Sequence, residues 1–144
     1  MIEVRPLADA DHAAWSRLAE GYKRFYNTPT SAAEYEQAWQ RLRRVEGVHG
    51  LGAHLGGQLV GLVHYLFHTS TWAPCVCYLQ DLYTDEACRG RGVARALIAA
   101  VAQAARAAGA SRLYWLTQEN NRTARELYDR VAQYKGFIRY DHPL

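Results

Sequence analysis

The chain has little of what a metal, disulfide or membrane reading would need. Its three cysteines, Cys75, Cys77 and Cys88, are an odd number with no CxxC spacing, which argues against a disulfide framework and against a zinc knuckle. The six histidines are scattered along the chain, and no metal site is expected. No apolar run approaches the roughly 20 residues that cross a bilayer. The opening Met1-Ile2-Glu3-Val4-Arg5 carries no signal-peptide pattern, and a cytoplasmic protein without a membrane partner is the expectation. Charge of one sign is also scarce. A net charge of +3 over 144 residues suits a small anion better than a nucleic acid, which is not expected as a partner. Repeats, linkers and low-complexity stretches are lacking. A single domain, 1–144, remains, long enough to bury a real core.

The elements that are present alternate between strand and helix periods. Ile2 to Arg5 reads as a strand ended by Pro6. Asp9 or Asp11 can cap a helix with the stripe Ala14, Trp15, Leu18, Ala19 and Tyr22. Ser31-x-x-Glu34 is a capping box that opens a second helix, with Tyr35, Ala38, Trp39 and Leu42 on one face. Gly50 to Leu55 and Gln58 to Phe67 read as strands joined by the turn Gly56-Gly57. Val76 to Tyr83 is a buried strand. Val93, Leu97, Val101 and Ala104 face inward on a third helix that Gly109 ends. Arg112 to Thr117 is a further strand, Asn120 or Asn121 caps a fourth helix, and Gly136 releases a last strand, Phe137 to Tyr140. The order β-αα-βββ-α-β-α-β is mixed α/β with a largely antiparallel first half.

Between the buried strand and the third helix stands Arg89-Gly90-Arg91-Gly92-Val93-Ala94. Glycines permit a tight turn, and the first amides of a helix have no intrahelical acceptor. Free donors at the positive end of a helix dipole favour a phosphate. A Walker A loop would need GxxxxGK followed by Ser or Thr, and Lys and Ser/Thr are missing. A dinucleotide fingerprint would need a third glycine where Arg95 stands.

The loop fits R-x-x-G-x-A through Arg89, Gly92 and Ala94. Asn121-x-x-Ala124-x-x-Leu127-Tyr128 follows downstream, then Gly136-Phe137. In this order the three motifs resemble the GCN5-related N-acetyltransferase (GNAT) superfamily over essentially the whole chain. Tyr78-Leu79-Gln80-Asp81-Leu82-Tyr83 resembles the diamine acetyltransferase branch; Tyr114 to Thr117 with Asn121 to Val131 and Gly136-Phe137-Ile138 resembles the Hpa-type branch. The resemblance implies a mostly antiparallel sheet of six to seven strands flanked by four helices and splayed at the cofactor site. It implies acetyl-CoA, with the amides of Gly90, Arg91, Gly92, Val93 and Ala94 on the pyrophosphate and Arg89, Arg91 and Arg95 adding charge nearby. Backbone groups of Leu82, Tyr83 and Thr84 would pair with the pantetheine arm, and Asn121 would bond it from the other side.

Tyr128 is the expected general acid, since a phenol beside the sulfur can protonate or stabilise a departing thiolate. The acceptor needs a base, because an alkyl ammonium with a pKa of about 10.4 is free amine in only about one molecule in a thousand near neutral pH. The resembled family has a glutamate where this chain has Gln80, and an amide is no base. Asp81 is adjacent, but strand alternation turns it to the other face. Asp81 as base, Asp81 as a brace for a loop, and water relayed by carbonyls all stay open. His64 and His68, on the preceding strand, could titrate suitably or be structural. Tyr22, Phe25, Tyr26 and Trp39, with Gln80, would line the pocket for a small-molecule amine. A protein lysine or N-terminal acetyltransferase and a non-catalytic acyl-CoA-binding module are the alternatives. A homodimer is expected, with Tyr65 and Phe67 as its exposed aromatics.

Overall fold

In the computed structural model, which describes residues 1–144, the period-two runs form one sheet in the order β1-β2-β3-β4-β5. Its strands are β1 (Ile2–Pro6), β2 (His49–Leu55), β3 (Gln58–His68), β4 (Val76–Thr84) and β5 (Leu113–Tyr114). All neighbours are antiparallel except β4 and β5, which run parallel. The helices are α1 (His12–Phe25), α2 (Ala32–Arg44), α3 (Val93–Ala107) and α4 (Arg122–Val131). The mixed α/β architecture with four helices is as expected.

The strand count is five, not six to seven. Arg112 to Thr117 shrinks to Leu113–Tyr114, and Phe137 to Tyr140 form no strand. Phe137, Ile138 and Tyr140 are 82%, 66% and 86% exposed. A strand needs a neighbouring ladder and a buried face. The two residues of β5 offer too short a template, and nothing covers the tail.

The sheet has a helix layer on each face. Val93, Leu97, Ile98, Val101 and Ala105 of α3 pack with Ala53, Val60, Val63, Tyr65, Cys77 and Leu79. On the opposite face Trp15, Leu18 and Ala19 of α1 and Trp39 and Leu42 of α2 pack with Leu7, Leu59 and Leu62. Full burial of each such aliphatic side chain stabilises by roughly 1.5–3 kcal/mol, enough to fix α1 and α3 against the strands between them. Ser31 Oγ accepts from the Glu34 amide, and Glu34 Oε1 accepts from the Ser31 amide, each at 3.1 Å, so the α2 capping box forms as read.

Neither Asp9 nor Asp11 caps α1 through its side chain. Asp11 is buried instead, where it accepts from the Ala8 amide at 2.8 Å and from Arg5 at 3.3 Å, beside His54 Nε2 at 3.0 Å. Burial would raise its carboxyl, but the Ala8, His54 and Arg5 contacts outweigh it and hold Asp11 below the ordinary carboxylate range.

Gly61 positions the start of α3. A Cβ there would lie 2.7 Å from Val93 Cγ1, 3.2 Å from Leu97 Cδ1 and 3.3 Å from the Tyr83 carbonyl oxygen. Only a residue without a side chain lets the helix sit this close to β3.

Candidate active site

β4 and β5 pair only at Cys77–Leu113 and Tyr78–Tyr114, whereas β4 continues to Thr84. From Leu79 onward that edge of β4 has no strand beside it. The parallel pair opens into a slot, and the main chain of Leu82, Tyr83 and Thr84 lies along it. A second irregularity shapes the other edge. His64 pairs with Asp81 and Tyr65 with Leu79, which leaves Gln80 as the extra residue of a bulge. A bulge bends its strand and re-aims the side chains around it.

Beyond Thr84 the chain enters the glycine loop. Gly90 and Gly92 have φ of 78° and 83°, the left-handed region, and a Cβ on either would meet nothing within 4 Å. The glycines are required by conformation, and the space above them is open. Gly92 caps α3 without a side-chain bond, and its carbonyl takes the Ala96 amide at 3.0 Å. The amides of Val93, Ala94 and Arg95 precede that first intrahelical bond. Arg91 and Arg95 are exposed beside them, and Arg89 lies 5.6 Å over the Tyr83 ring. Thr84 Oγ1 is buried with no hydrogen-bond partner. An open cradle of free amides, three cations, an orphaned hydroxyl and an unpaired strand edge fit a ligand with a pyrophosphate and an amide-bearing arm.

The α1 side of the slot holds the ionisable groups. Asp81 Oδ1 accepts from the Tyr22 hydroxyl at 2.8 Å, and Asp81 Oδ2 lies 2.9 Å from His64 Nδ1. Strand alternation had turned Asp81 away from this face. The bulge at Gln80 reverses that and brings Asp81 under α1, while Gln80 itself is exposed. Burial would raise the Asp81 carboxyl, but the His64 and Tyr22 bonds and the Lys23 charge overcome it and hold Asp81 below its ordinary range. Burial, then the Asp81 charge, raises both Tyr22 and Tyr26. The Tyr26 hydroxyl is reached by the side chains of Asn121 and Thr117, which oppose that rise.

Tyr128 stands on α4, half-buried, with its ring edge-on to Trp115 at 5.4 Å. Burial, and then Tyr26, pushes its phenol up to about 12, so it is protonated at neutral pH. Asn121 Oδ1 takes the Ala124 amide and Nδ2 donates to Thr117 Oγ1, both at 3.4 Å, so this residue caps α4. The Tyr22 and Tyr26 rings lie 4.9 Å apart. Tyr22, Tyr26, Asp81, Asn121 and Tyr128 are therefore gathered around one opening.

Three expected placements do not hold. Trp39 is 3% exposed, stacked on His12 at 4.7 Å and against Trp15 at 5.2 Å. It belongs to the core between α1 and α2 and does not line the pocket. Gln80 bulges into solvent, away from Asp81's partners. Tyr65 is 7% exposed and stacks on His49 at 5.0 Å, so it offers no free aromatic face. Trp15 and Thr117 were missed. Trp15 reads as an ordinary stripe residue in α1, and only its indole N–H, 3.0 Å from His64 Nε2, marks it. No cluster of three or more His, Cys, Asp or Glu side chains is placed to hold a metal, and no helix is long and apolar enough to cross a membrane.

A parallel strand pair splayed beside a glycine loop and a helix start, with a half-buried phenol across the opening, fits an acyl-CoA-dependent acyltransferase. The chain belongs to the family described as "Acetyltransferase (GNAT) family", which matches residues 13–133. It is 33% identical over 139 residues to the D-amino-acid N-acetyltransferase HPA3 of Saccharomyces cerevisiae, covering 91% of this chain and 84% of that protein. It is 35% identical over 86 residues to the thialysine N-epsilon-acetyltransferase of Caenorhabditis elegans, covering 60% of this chain and 54% of that one. The fold is shared with an AAC(6')-Iy structure in complex with a bisubstrate analogue, at TM-score 0.88 and 14% identity over 100% of this chain and 99% of that one. The protein is an acetyl-CoA-dependent N-acetyltransferase.

Proposed function

We propose that this enzyme acetylates the primary amine of a small molecule, an amino acid or polyamine, by direct attack within a ternary complex. The convergence of Asp81, Tyr26 and Tyr128 at the mouth of the β4–β5 slot carries this reading. Acetyl-CoA supplies an activated thioester carbonyl when bound. The amides of Gly90 to Ala94 and the charges of Arg89, Arg91 and Arg95 would hold its pyrophosphate. The Thr84 hydroxyl and the edge of Leu82 and Tyr83 would meet the arm, with Asn121 and Tyr128 on the α4 side.

Asp81, an anion held below its ordinary range, attracts the ammonium form of the acceptor and orients it. Transfer of the ammonium proton onto so acidic a carboxyl is strongly uphill, so we assign Asp81 to holding the amine and water to carrying off the proton that it must lose. Tyr128, at about 12, sits more than three pH units above a thiol's roughly 8.5, so complete proton transfer to a thiolate is uphill by about 4–5 kcal/mol. Its phenol therefore acts by hydrogen-bonding the developing negative charge rather than by surrendering its proton. Tyr22 and Tyr26 form the aromatic wall along which an alkyl amine lies. The yeast relative supports an amino acid as the acceptor class.

A CoA-thiol release assay across diamines, polyamines, both hands of amino acids and basic peptides tests the proposal. Turnover of small amines with none on peptides is the expected result. Turnover of peptides alone establishes a protein acetyltransferase instead, and CoA binding without turnover on any amine establishes a binding module.

A homodimer belongs to the same reading, now carried by the exposed Phe137, Ile138 and Tyr140 rather than by Tyr65; a monomeric mass in solution overturns it. A cytoplasmic location is also part of this reading, and cell fractionation tests it.

A further inference from the structure

Behind Asp81 runs a line of hydrogen bonds into the core. The Trp15 indole Nε1–H donates to His64 Nε2 at 3.0 Å, and His64 Nδ1 meets Asp81 Oδ2 at 2.9 Å. Trp15 is 2% exposed and His64 9%. An indole nitrogen only donates. His64 Nε2 must therefore be the bare acceptor nitrogen, and the ring proton sits on Nδ1, pointed at the carboxylate. The line is anchored at both ends, since Trp15 is packed against Trp39 and Tyr22 holds the second carboxylate oxygen.

We infer that Trp15 and His64 are positioning residues: the indole fixes the His64 tautomer, and the ring then holds Asp81 as an oriented anion facing the amine acceptor. The functional part rests on the acceptor site proposed above. His64 is buried, and both of its ring nitrogens are engaged, by Trp15 and by Asp81. It thus does not serve as the base, and the remaining lone pairs of Asp81 are left to the substrate. The sheet supplies the geometry. The bulge at Gln80 sets Asp81 directly opposite His64, and without it the two would face opposite layers.

The bond and its purpose are tested separately. Nitrogen-15 NMR of the wild-type histidine rings near neutral pH reads the tautomer with no acceptor present, so this arm stands or falls whether or not the amine reading holds. His64 is expected as the neutral Nδ1–H form with Nε2 bare. A protonated Nε2 overturns the inference.

The second arm compares Trp15→Phe, Asp81→Asn and the double variant. Trp15→Phe keeps an aromatic filling and removes the donor. The expected result is KM for the amine raised roughly 3- to 10-fold, the worth of one hydrogen bond, with KM for acetyl-CoA unchanged. In the Asp81→Asn background the same change is expected to add nothing, because the tryptophan acts through the carboxylate. Equal effects of Trp15→Phe in both backgrounds, or a loss spread over both substrates, overturn it.

Discussion

Replacing Gly61 by alanine tests whether the cofactor cradle is positioned by packing beneath it. The new Cβ would lie 2.7 Å from Val93 Cγ1, at least 0.7 Å inside an ordinary contact, and 3.2 Å from Leu97 Cδ1. Neither neighbour can turn away easily. Val93 is β-branched in the first turn of α3 and 2% exposed, and Leu97 is fully buried. The third neighbour, the Tyr83 carbonyl, is backbone. Relief must come from α3 lifting by a few tenths of an ångström up to about 1 Å. Overpacking of this kind costs about 1–3 kcal/mol, and removing a glycine from a strand returns about 0.4–1 kcal/mol. The net expectation is a loss of about 1–2 kcal/mol, a fall in Tm of several degrees for a domain of this size. Because Val93 directly follows Gly92, the same lift displaces the free amides, so KM for acetyl-CoA should rise several-fold while KM for the amine changes little. Thermal unfolding and steady-state kinetics read both. Adding Val93→Ala removes Cγ1 and should restore the acetyl-CoA KM even though it costs buried area. An unchanged Tm and KM in Gly61→Ala, or no recovery in the double variant, refutes the argument.

Three other expectations follow from the same geometry. Tyr128→Phe removes the hydrogen bond to the developing charge and should lower kcat by on the order of a hundredfold with Tm nearly unchanged; retained kcat on every accepted amine removes the phenol from the mechanism. Thr84→Val should act with opposite signs on stability and binding. It removes a buried, unpartnered hydroxyl and so should raise Tm by an amount equivalent to about 1 kcal/mol, while raising KM for acetyl-CoA if that hydroxyl meets the ligand. Asp11→Asn should cost about 1–3 kcal/mol near neutral pH. Asp11 is held below its ordinary 3.8 in the fold, so its contribution is present above about pH 4 and lost as pH falls through the folded value. Urea midpoints against pH should fall less steeply at the acid end for the variant, and parallel curves for both chains rule the assignment out.

The legible parts of the site are those written in short stretches. Arg89 to Ala94 announces a turn and a helix start because φ near 80° at Gly90 and Gly92 is a local demand. Asn121 announces the α4 cap for a similar reason, and Ser31 with Glu34 announces α2. Asp81 was misdirected because strict alternation assumes an unbroken ladder, and the bulge at Gln80 is a property of how β4 pairs with β3. Trp39 was misread because a helix stripe reveals which residues face inward but not which neighbour they meet.

Sequence alone thus determined the glycine turn with its helix start, the α4 cap at Asn121 and the mixed α/β order, since turn conformations, caps and periodicity are decided within a few residues. Tertiary structure decided that β4 leaves β5 after Tyr78, that Asp81 rather than Gln80 faces α1, that Trp39 is core and that Phe137 to Tyr140 stay outside the sheet. Each of these depends on pairing between distant segments. A one-residue bulge is enough to exchange one face for the other, and no local propensity encodes it.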